Sequence, residues 1–422
     1  MAAVFPVAAG TQSYDWGQVG LQSKAAQYAL GGIPDFELDE AKPYAELWMG
    51  THTTLPSRLI GSGETLASHL AGHNELVGSK VSERFPEVQT GNLPFLFKIL
   101  AIRKALSIQA HPDKQLAERL HAERPDLYKD PNHKPEMAIA LTPFTALCGF
   151  RPLPEISTYL SHVPELASLI PPTILSSFQL LSSTPTSDPS AKAALRDIFA
   201  AVMTAPADIV KAQVRMLVGR YKSGGHAREE DDVRELVVEL DSQFPDDIGV
   251  FCAYLLNVIK LQPGEAIFLG AGEPHAYVAG GEPYIVEAMA TSDNVLRAGL
   301  TPKIRDVPNL VSSLTYNAGP LSAHVVNPAP FTRGSSYTTL YDPPIPEFAV
   351  LSVRIPGGEK ETHDPVEGPS LLIVTQGTGE VVLPGSDSLA VKEGSVLFVG
   401  ADTKVSFDAN EELVFFRAFV EA

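Results

Sequence analysis

Cysteine, basic residues and long apolar runs are all scarce in this 422-residue chain, and each scarcity excludes something. Two cysteines, Cys148 and Cys252, cannot build a disulfide framework or a four-thiolate zinc site. Lys and Arg total 32 against 50 for Asp and Glu, a net charge of −18. That balance leaves no basic face for a nucleic-acid backbone and no polybasic anchor for a membrane surface. It does not exclude a small anionic substrate, because a pocket can be locally positive on an acidic protein. No stretch of about 18 apolar residues reads as a membrane span. The opening MAAVFPVAAGTQSYDWG lacks the basic and apolar regions of a secretory signal, and the closing AFVEA matches no retention or prenylation pattern. The expectation is a monomeric protein of a reducing compartment, the cytosol, with neither nucleic acid nor membrane as partner.

Apolar residues make up 44% of the chain and charged residues 19%, enough to bury a sizeable core. The length suggests about three domains. Proline (35) and glycine (32) punctuate short apolar runs in residues 1–152 and 261–422, such as LPFLFKILAI, EAIFLGAG and GSVLFVGAD. Such runs read as strands of a sandwich or barrel. The stretch 153–260 differs: AKAALRDIFAAVMTAPADIVKAQVRMLVGRYK and EEDDVRELVVELDSQF carry apolar residues at helical spacing. Val233, Leu236, Val237 and Leu240 share one face, and the acidic EEDD suits the positive end of that helix. Residues 182–190 read as a loop and Ser223–Gly225 as a turn. A helical segment inserted between β-rich parts is expected.

An internal repeat supports a second β unit. Leu261–Tyr277 aligns without gaps on Val391–Phe407, matching Gly264 with Gly394, Phe268 with Phe398 and Gly270 with Gly400. The pattern predicts a recurring hairpin of the jelly-roll kind. The copies differ tellingly at one place: His275 of the first is Val405 in the second.

With thiolates unavailable, histidine and carboxylate must carry any metal chemistry. In LSIQAHPDK, period-two alternation puts Ser107, Gln109 and His111 on one strand face and Leu106, Ile108 and Ala110 on the other. YKDPNHKPEMAIAL packs Asp130, His133, Lys134 and Glu136 just before an apolar run, with prolines restricting the backbone. A third segment, 270–303, disperses His275, Glu287, Arg297 and Lys303 among small residues. Gln109, His111, Glu136 and His275 would form a mixed N/O set suited to zinc or another borderline divalent ion. Arg297 and the lysines could hold a phosphate or steady an oxyanion. Each cluster also has a plain reading, as a solvated strand face, a charged loop or a scattered surface set.

These segments resemble type I phosphomannose isomerase. One signature of that family stands complete as Tyr128, Asp130, Asn132, His133, Lys134, Pro135 and Glu136. A second runs from His275-Ala-Tyr through Glu287-x-Met289-Ala to Ser292-Asp-Asn, Arg297-Ala-Gly and Thr301-Pro-Lys303. Tyr14–Gly17, Ala45–Gly50, Leu93–Lys98 and Ser107–Lys114 are also family-like. The resemblance implies a mainly β fold of two cupin-type jelly-roll β-barrels plus an α-helical domain. The corresponding boundaries are 1–152 and 261–325 for the catalytic jelly roll, 153–260 for the insertion, and 326–422 for a C-terminal jelly roll without metal. It implies one zinc on Gln109, His111, Glu136 and His275. It implies that Arg297 is catalytically important and that Ser107, Lys98 and Lys303 lie in the phosphate and sugar pocket; His133, Lys134 and Glu287 are further catalytic candidates and Tyr277 a further candidate substrate contact. The reaction implied joins mannose 6-phosphate and fructose 6-phosphate through an enediol, feeding GDP-mannose synthesis and mannose catabolism. The spacing from His275 to Glu287 is longer than the family pattern, which predicts a longer hairpin turn there.

The residues leave the proton-transfer base open among His133, Lys134, Glu287 and Glu46, with the His133–Lys134 pair favoured. Two other readings stay in view. His111, Glu136 and His275 could form the facial triad of an iron-dependent cupin oxygenase. A metal-free cupin that binds sugar or a partner is the non-enzymatic alternative.

Overall fold

The structure, a computed structural model, describes residues 3–278, 283–383 and 388–422. The short apolar runs form strands, and these gather into two β units, each a pair of facing antiparallel sheets. In the first unit one sheet orders Val325–Val326, Ala266–Leu269, Glu136–Ala140, Tyr284–Ala290, Phe95–Ala101, Glu46–Met49 and Gly10–Gln12. The facing sheet orders Leu256–Leu261, Phe144–Phe150, His275–Val278, Ile108–Ala110 and Leu296–Gly299. Side chains from both interleave in one core, including Ile267, Ile285 and Ala138 from one side and Phe144, Ile259 and Cys148 from the other. The C-terminal unit repeats this plan. Its larger sheet contains Ala349–Ile355, Leu413–Phe419, Ser370–Gln376 and Val396–Val399, and the strand Val4–Ala8 from the start of the chain joins it. Its smaller sheet orders Lys360–His363, Val405–Ala409, Thr378–Val382 and Leu389–Lys392. The outward faces of the two larger sheets share a third core with the helix Lys24–Gly32.

The expectation of a mainly β chain with two closed barrels is corrected. The fold is mixed α/β, and among the described residues no sheet closes on itself. Edge strands such as Val325–Val326 and Gly10–Gln12 are two and three residues long, too short to carry a ladder across to the facing sheet. Side-chain packing, at the roughly 10 Å spacing of stacked sheets, joins the layers instead.

Between Phe150 and Leu256 the chain is helical, with Leu153–His162, Pro172–Leu181, Pro189–Met203, Ala207–Lys222 and Arg234–Gln243 the longer helices. Val233, Leu236, Val237 and Leu240 are buried as their spacing predicts. The acidic run before that helix has a different role from dipole matching. Glu230 is buried and, with Glu165, takes both sides of the Arg220 guanidinium, and it also accepts from the Tyr221 hydroxyl and the Ala227 N–H.

The aligned repeat occupies matching places in the two units, but not as a hairpin. In each copy the first strand lies in the larger sheet and the second crosses into the facing one. The turn glycines agree closely, with φ of 88° at Gly264 and 86° at Gly394. Register extends the match. Leu269 faces Glu136 as Val399 faces Ser370, and His275 faces Gln109 as Val405 faces His363. Met289 faces Glu136 as Phe419 faces Ser370, which sets Arg417 where the first unit has Glu287.

In the C-terminal unit these positions form a buried polar chain. The Arg417 guanidinium donates to Ser370 Oγ at 2.9 Å and to His363 Nδ1 at 3.2 Å, and His363 Nε2 lies 2.9 Å from Thr338 Oγ1. Burial, aided by the Arg417 charge, pushes His363 down to about 2. The unfolded chain therefore takes up this proton near pH 6.5 while the folded chain refuses it, so stability falls as pH drops from there. Between pH 6.5 and 5 this one group costs about 2 kcal/mol. Urea unfolding of His363→Gln over that range should show a correspondingly flatter loss than the parent.

Candidate active site and metal centre

Strand alternation turns one set of side chains into the first unit's interior. On the larger sheet Leu96, Lys98 and Leu100 point inward while Phe95, Phe97 and Ile99 join the outer core. Glu46, Trp48, Glu136, Glu287 and Met289 share the inward face. On the facing sheet His275, Gln109 and Arg297 stand abreast on three neighbouring strands. Between these faces lies a cavity of about 320 Å³, within the range of small-molecule sites.

His111 and His275 converge on its wall residue Glu136: one ligand atom from each of the three lies within 4.8 Å of the others. His111 Nε2 is 3.4 Å from Glu136 Oε1, and His275 Nε2 is 3.2 Å from Glu136 Oε2. The remaining ring nitrogens are engaged: His111 Nδ1 donates to the Asn294 carbonyl at 2.7 Å and His275 Nδ1 to the Glu273 carbonyl at 2.9 Å. Those two bonds fix the tautomer that leaves both Nε2 lone pairs facing inward, the usual arrangement behind metal-binding histidines. Both Nε2 atoms and Glu136 Oε2 are buried without a hydrogen-bond partner among the described residues. Burying three such atoms together is costly unless something binds them, so the donor set fits a divalent cation. Burial pushes His111 down to about 4 despite the adjacent Glu136, which favours the neutral ligand form. Burial opposes ionisation of Glu136, but its neighbours, above all the Lys134 cation, outweigh it and hold the carboxyl well below its ordinary value.

A second charged group sits beside this one. Lys98 Nζ lies 3.1 Å from Glu287 Oε2 and 3.7 Å from Glu46 Oε2, with all three side chains nearly inaccessible. Burial would lower Lys98, but the carboxylates of Glu287, Glu46 and Glu136 together raise it, so the ammonium stays charged. Glu46 also accepts from the Trp48 indole N–H. Glu287 moves up, chiefly through burial and secondarily through Glu136, against the pull of Lys98. A carboxylate so placed is a stronger base than one in water.

Lys134 reaches the cavity and donates to Glu136 Oε1 at 2.8 Å. Its neighbour His133 does not line the cavity: His133 Nε2 meets Glu347 Oε1 of the C-terminal unit at 2.6 Å. Ser107, Arg297 and Lys303 are in the wall, and the Lys303 ammonium sits 5.9 Å from the centre of the Tyr14 ring. Burial and the Arg297 charge lower Lys303. Tyr277, on the facing sheet, is outside the cavity wall and buried; burial, then the charges of Glu287 and Glu136, raise it well above its ordinary value. The longer turn expected between His275 and Glu287 falls largely on residues 279–282, outside the described residues. The flanking strands belong to facing sheets, and Glu287 keeps its register opposite Lys98 and Ala138.

Several wall residues escaped the sequence reading as site residues: Tyr14, Trp48, His52, Asp293 and Phe244. Tyr14 and Trp48 belong to stretches already marked as family-like, so that signal was available. Phe244 comes from the helical segment, where nothing local distinguishes it. The Lys98 cluster carries a testable cost. Lys98→Met leaves two buried carboxylates without their cation and should lose about 3–5 kcal/mol in chemical denaturation. Adding Glu287→Gln to that variant should recover part of the loss.

Comparison with known proteins agrees with this geometry. Residues 4–153 match the family model for the catalytic domain of phosphomannose isomerase type I, residues 170–256 its helical insertion domain, and residues 339–386 its C-terminal part. The mannose-6-phosphate isomerase of Cryptococcus neoformans is 49% identical, over 100% of this chain and 99% of its own. That of Saccharomyces cerevisiae is 43% identical over 99% of each. Among solved structures, a zinc-bound mannose 6-phosphate isomerase superposes with a TM-score of 0.81 at 29% identity, covering both chains fully. A variant of the phosphomannose isomerase from Salmonella typhimurium gives 0.82 at 30% identity, again covering both chains fully. The chain belongs to the type I phosphomannose isomerase family.

Proposed function

We propose that the cavity is where this chain interconverts mannose 6-phosphate and fructose 6-phosphate, and we assign its residues accordingly. The enzyme is an aldose–ketose isomerase; the division of labour within the site is our reading. The observation that carries it is the triad of buried, inward-facing, unpartnered atoms on His111, Glu136 and His275, set beside four cationic side chains. We read one zinc per chain as held there, with Gln109 as the fourth protein ligand from the neighbouring strand. When bound, zinc supplies a Lewis acid that polarises the sugar's carbonyl oxygen.

The chain's own residues do the rest. Arg297 and Lys303, side by side at the wall, bind the phosphate, with Ser107 as a further donor. Isomerisation moves a proton between C2 and C1 of the open-chain sugar, through an enediol. Of the two neighbours that the sequence favours for this work, only Lys134 lines the cavity. We therefore assign Glu287 as the group that carries the proton, and Lys134 to ring opening. Lys98 keeps Glu287 in place at 3.1 Å, and Tyr277 adds a buried side chain near Glu287 from the facing sheet. Arg297 also offsets negative charge developing on the sugar oxygens. His133, tied to Glu347, holds the backbone on which Lys134 is mounted.

The excess acidity of the chain stays compatible with an anionic substrate because these cations face the cavity. Among the described residues no helix is long and apolar enough to cross a membrane. We read the enzyme as a cytosolic monomer, with residues 1–152 and 261–325 forming most of the catalytic unit, 153–260 the insertion apart from its closing strand Leu256–Leu261, which joins the catalytic unit, and 326–422 the C-terminal unit, which Val4–Ala8 joins.

A coupled assay with mannose 6-phosphate, with and without chelator, should show activity that zinc restores. His275→Ala and Glu136→Ala should lose metal and turnover together, read by metal analysis. Glu287→Gln should keep its metal, yet exchange of the C2 proton with solvent deuterium should fall about 100-fold or more. Full exchange in that variant would move the proton carrier to Lys134.

A further inference from the structure

The helical insertion touches the cavity at one place. Its helix Arg234–Gln243 ends against the first β unit, where Gln243 Oε1 accepts from the Ala105 N–H at 2.7 Å. Phe244 follows directly and lines the cavity, with Lys104 Nζ 4.1 Å from its ring centre. Three residues later stands Asp247. Its Oδ1 accepts from Gly249 N at 2.6 Å and from Leu300 N at 2.7 Å, and Oδ2 lies 3.4 Å from Thr301 N. One carboxylate thus clamps a turn of the insertion to the segment that joins Arg297 to Lys303.

That segment has an unusual backbone. Leu300 is buried and sits at φ 53°, a left-handed conformation that leucine rarely adopts. Such outliers persist only where surrounding contacts over-determine them. Here the contacts are the Asp247 carboxylate and a backbone-to-backbone approach. A Cβ on Gly299 would come within 2.5 Å of Gly249, and one on Gly249 within 2.7 Å of Leu300 N. Leu300 ends the strand Leu296–Gly299 and turns the chain so that Thr301, Pro302 and Lys303 cross the cavity beside Arg297.

We propose that Asp247 of the helical insertion is a positioning residue for anion recognition, holding the left-handed bend at Leu300 that carries Lys303 beside Arg297. This rests on the reading of Arg297 and Lys303 as the phosphate-binding pair. The insertion thereby sets substrate affinity without touching substrate through Asp247, and the metal residues lie outside its reach.

The test compares Asp247→Ala, Asp247→Asn and Lys303→Ala in the full zinc-loaded chain. It measures KM and kcat for mannose 6-phosphate and inhibition by inorganic phosphate. In Asp247→Ala, KM and the phosphate inhibition constant should rise together about tenfold, with kcat within about threefold of the parent and zinc content unchanged. Asp247→Asn retains one acceptor oxygen and should give a rise of about threefold. A lowered melting temperature with unchanged KM and phosphate inhibition in Asp247→Ala would make the residue purely structural and overturn the proposal. Should that variant not fold, parental phosphate inhibition in Asp247→Asn would overturn it equally. Lys303→Ala separates the two levels. If phosphate inhibition weakens there but not in the Asp247 variants, only this proposal fails. If it is parental in Lys303→Ala, the phosphate reading itself fails.

Discussion

An ionised group inside a β-sandwich persists only where polar or oppositely charged partners compensate it, and the catalytic unit meets that constraint with opposite charges. Lys98 binds Glu287 and faces Glu46, while Lys134 binds Glu136, which in turn faces two histidines. Each carboxylate is compensated by a cation on its own or an adjacent strand, so pleat and register hold the charges at fixed separations. Among the described residues the inward-facing His111 Nε2, His275 Nε2 and Glu136 Oε2 are still left together without a hydrogen-bond partner, a donor set that fits a divalent ion. Charge pairing therefore serves as the scaffold for the chemistry as well as its condition.

The C-terminal unit answers the same constraint differently. It keeps the two-sheet plan and the register, yet holds Ser370, His363, Val405 and Arg417 where the first unit has Glu136, Gln109, His275 and Glu287. Burial lowers Arg417 to about 10, and its guanidinium is shared between a hydroxyl and a neutral imidazole. A fixed organic cation thus occupies the interior, and the surrounding groups have become donors and acceptors of hydrogen bonds rather than anionic ligands. The same sandwich plan thus holds, in one unit, a donor set that fits an exchangeable ion and, in the other, a cation covalently part of the chain.

The parts of the site that could be read from sequence are those written contiguously. The alternation of Ser107, Gln109 and His111 stated which face they share, and the run from Tyr128 to Glu136 placed Lys134 beside its carboxylate. The repeat was readable from its glycines, whose positive φ leaves few substitutes. Closure of the sheets was not readable, since an open pair of sheets and a barrel impose the same alternation on each strand. Nor was the direction of His133, because Glu347 approaches from a distant part of the chain and leaves no mark next to it. Leu300 is the clearest example: a buried leucine in a glycine-like conformation follows from Asp247 in the insertion, not from its own neighbours.

The strand Val4–Ala8 has a further meaning for how the molecule comes together. It pairs with Val396–Val399 while the residues just after it, Gly10–Gln12, pair with Glu46–Met49 in the catalytic unit. One short stretch of backbone is therefore shared between both sandwiches: Val7 and Ala8 pair with Leu59 and Arg58 close by in sequence, while Val4, Phe5 and Pro6 pair with Val399, Phe398 and Leu397. Until residues 396–399 are made, the edge that Val4, Phe5 and Pro6 turn toward them stays open, the kind of edge that invites misassociation. Non-local pairing of this kind also slows folding, because the loop must close before the contact rewards it. The two ends of the polypeptide are thus stitched by the same ladder, so damage to either end is felt in the unit formed by the other.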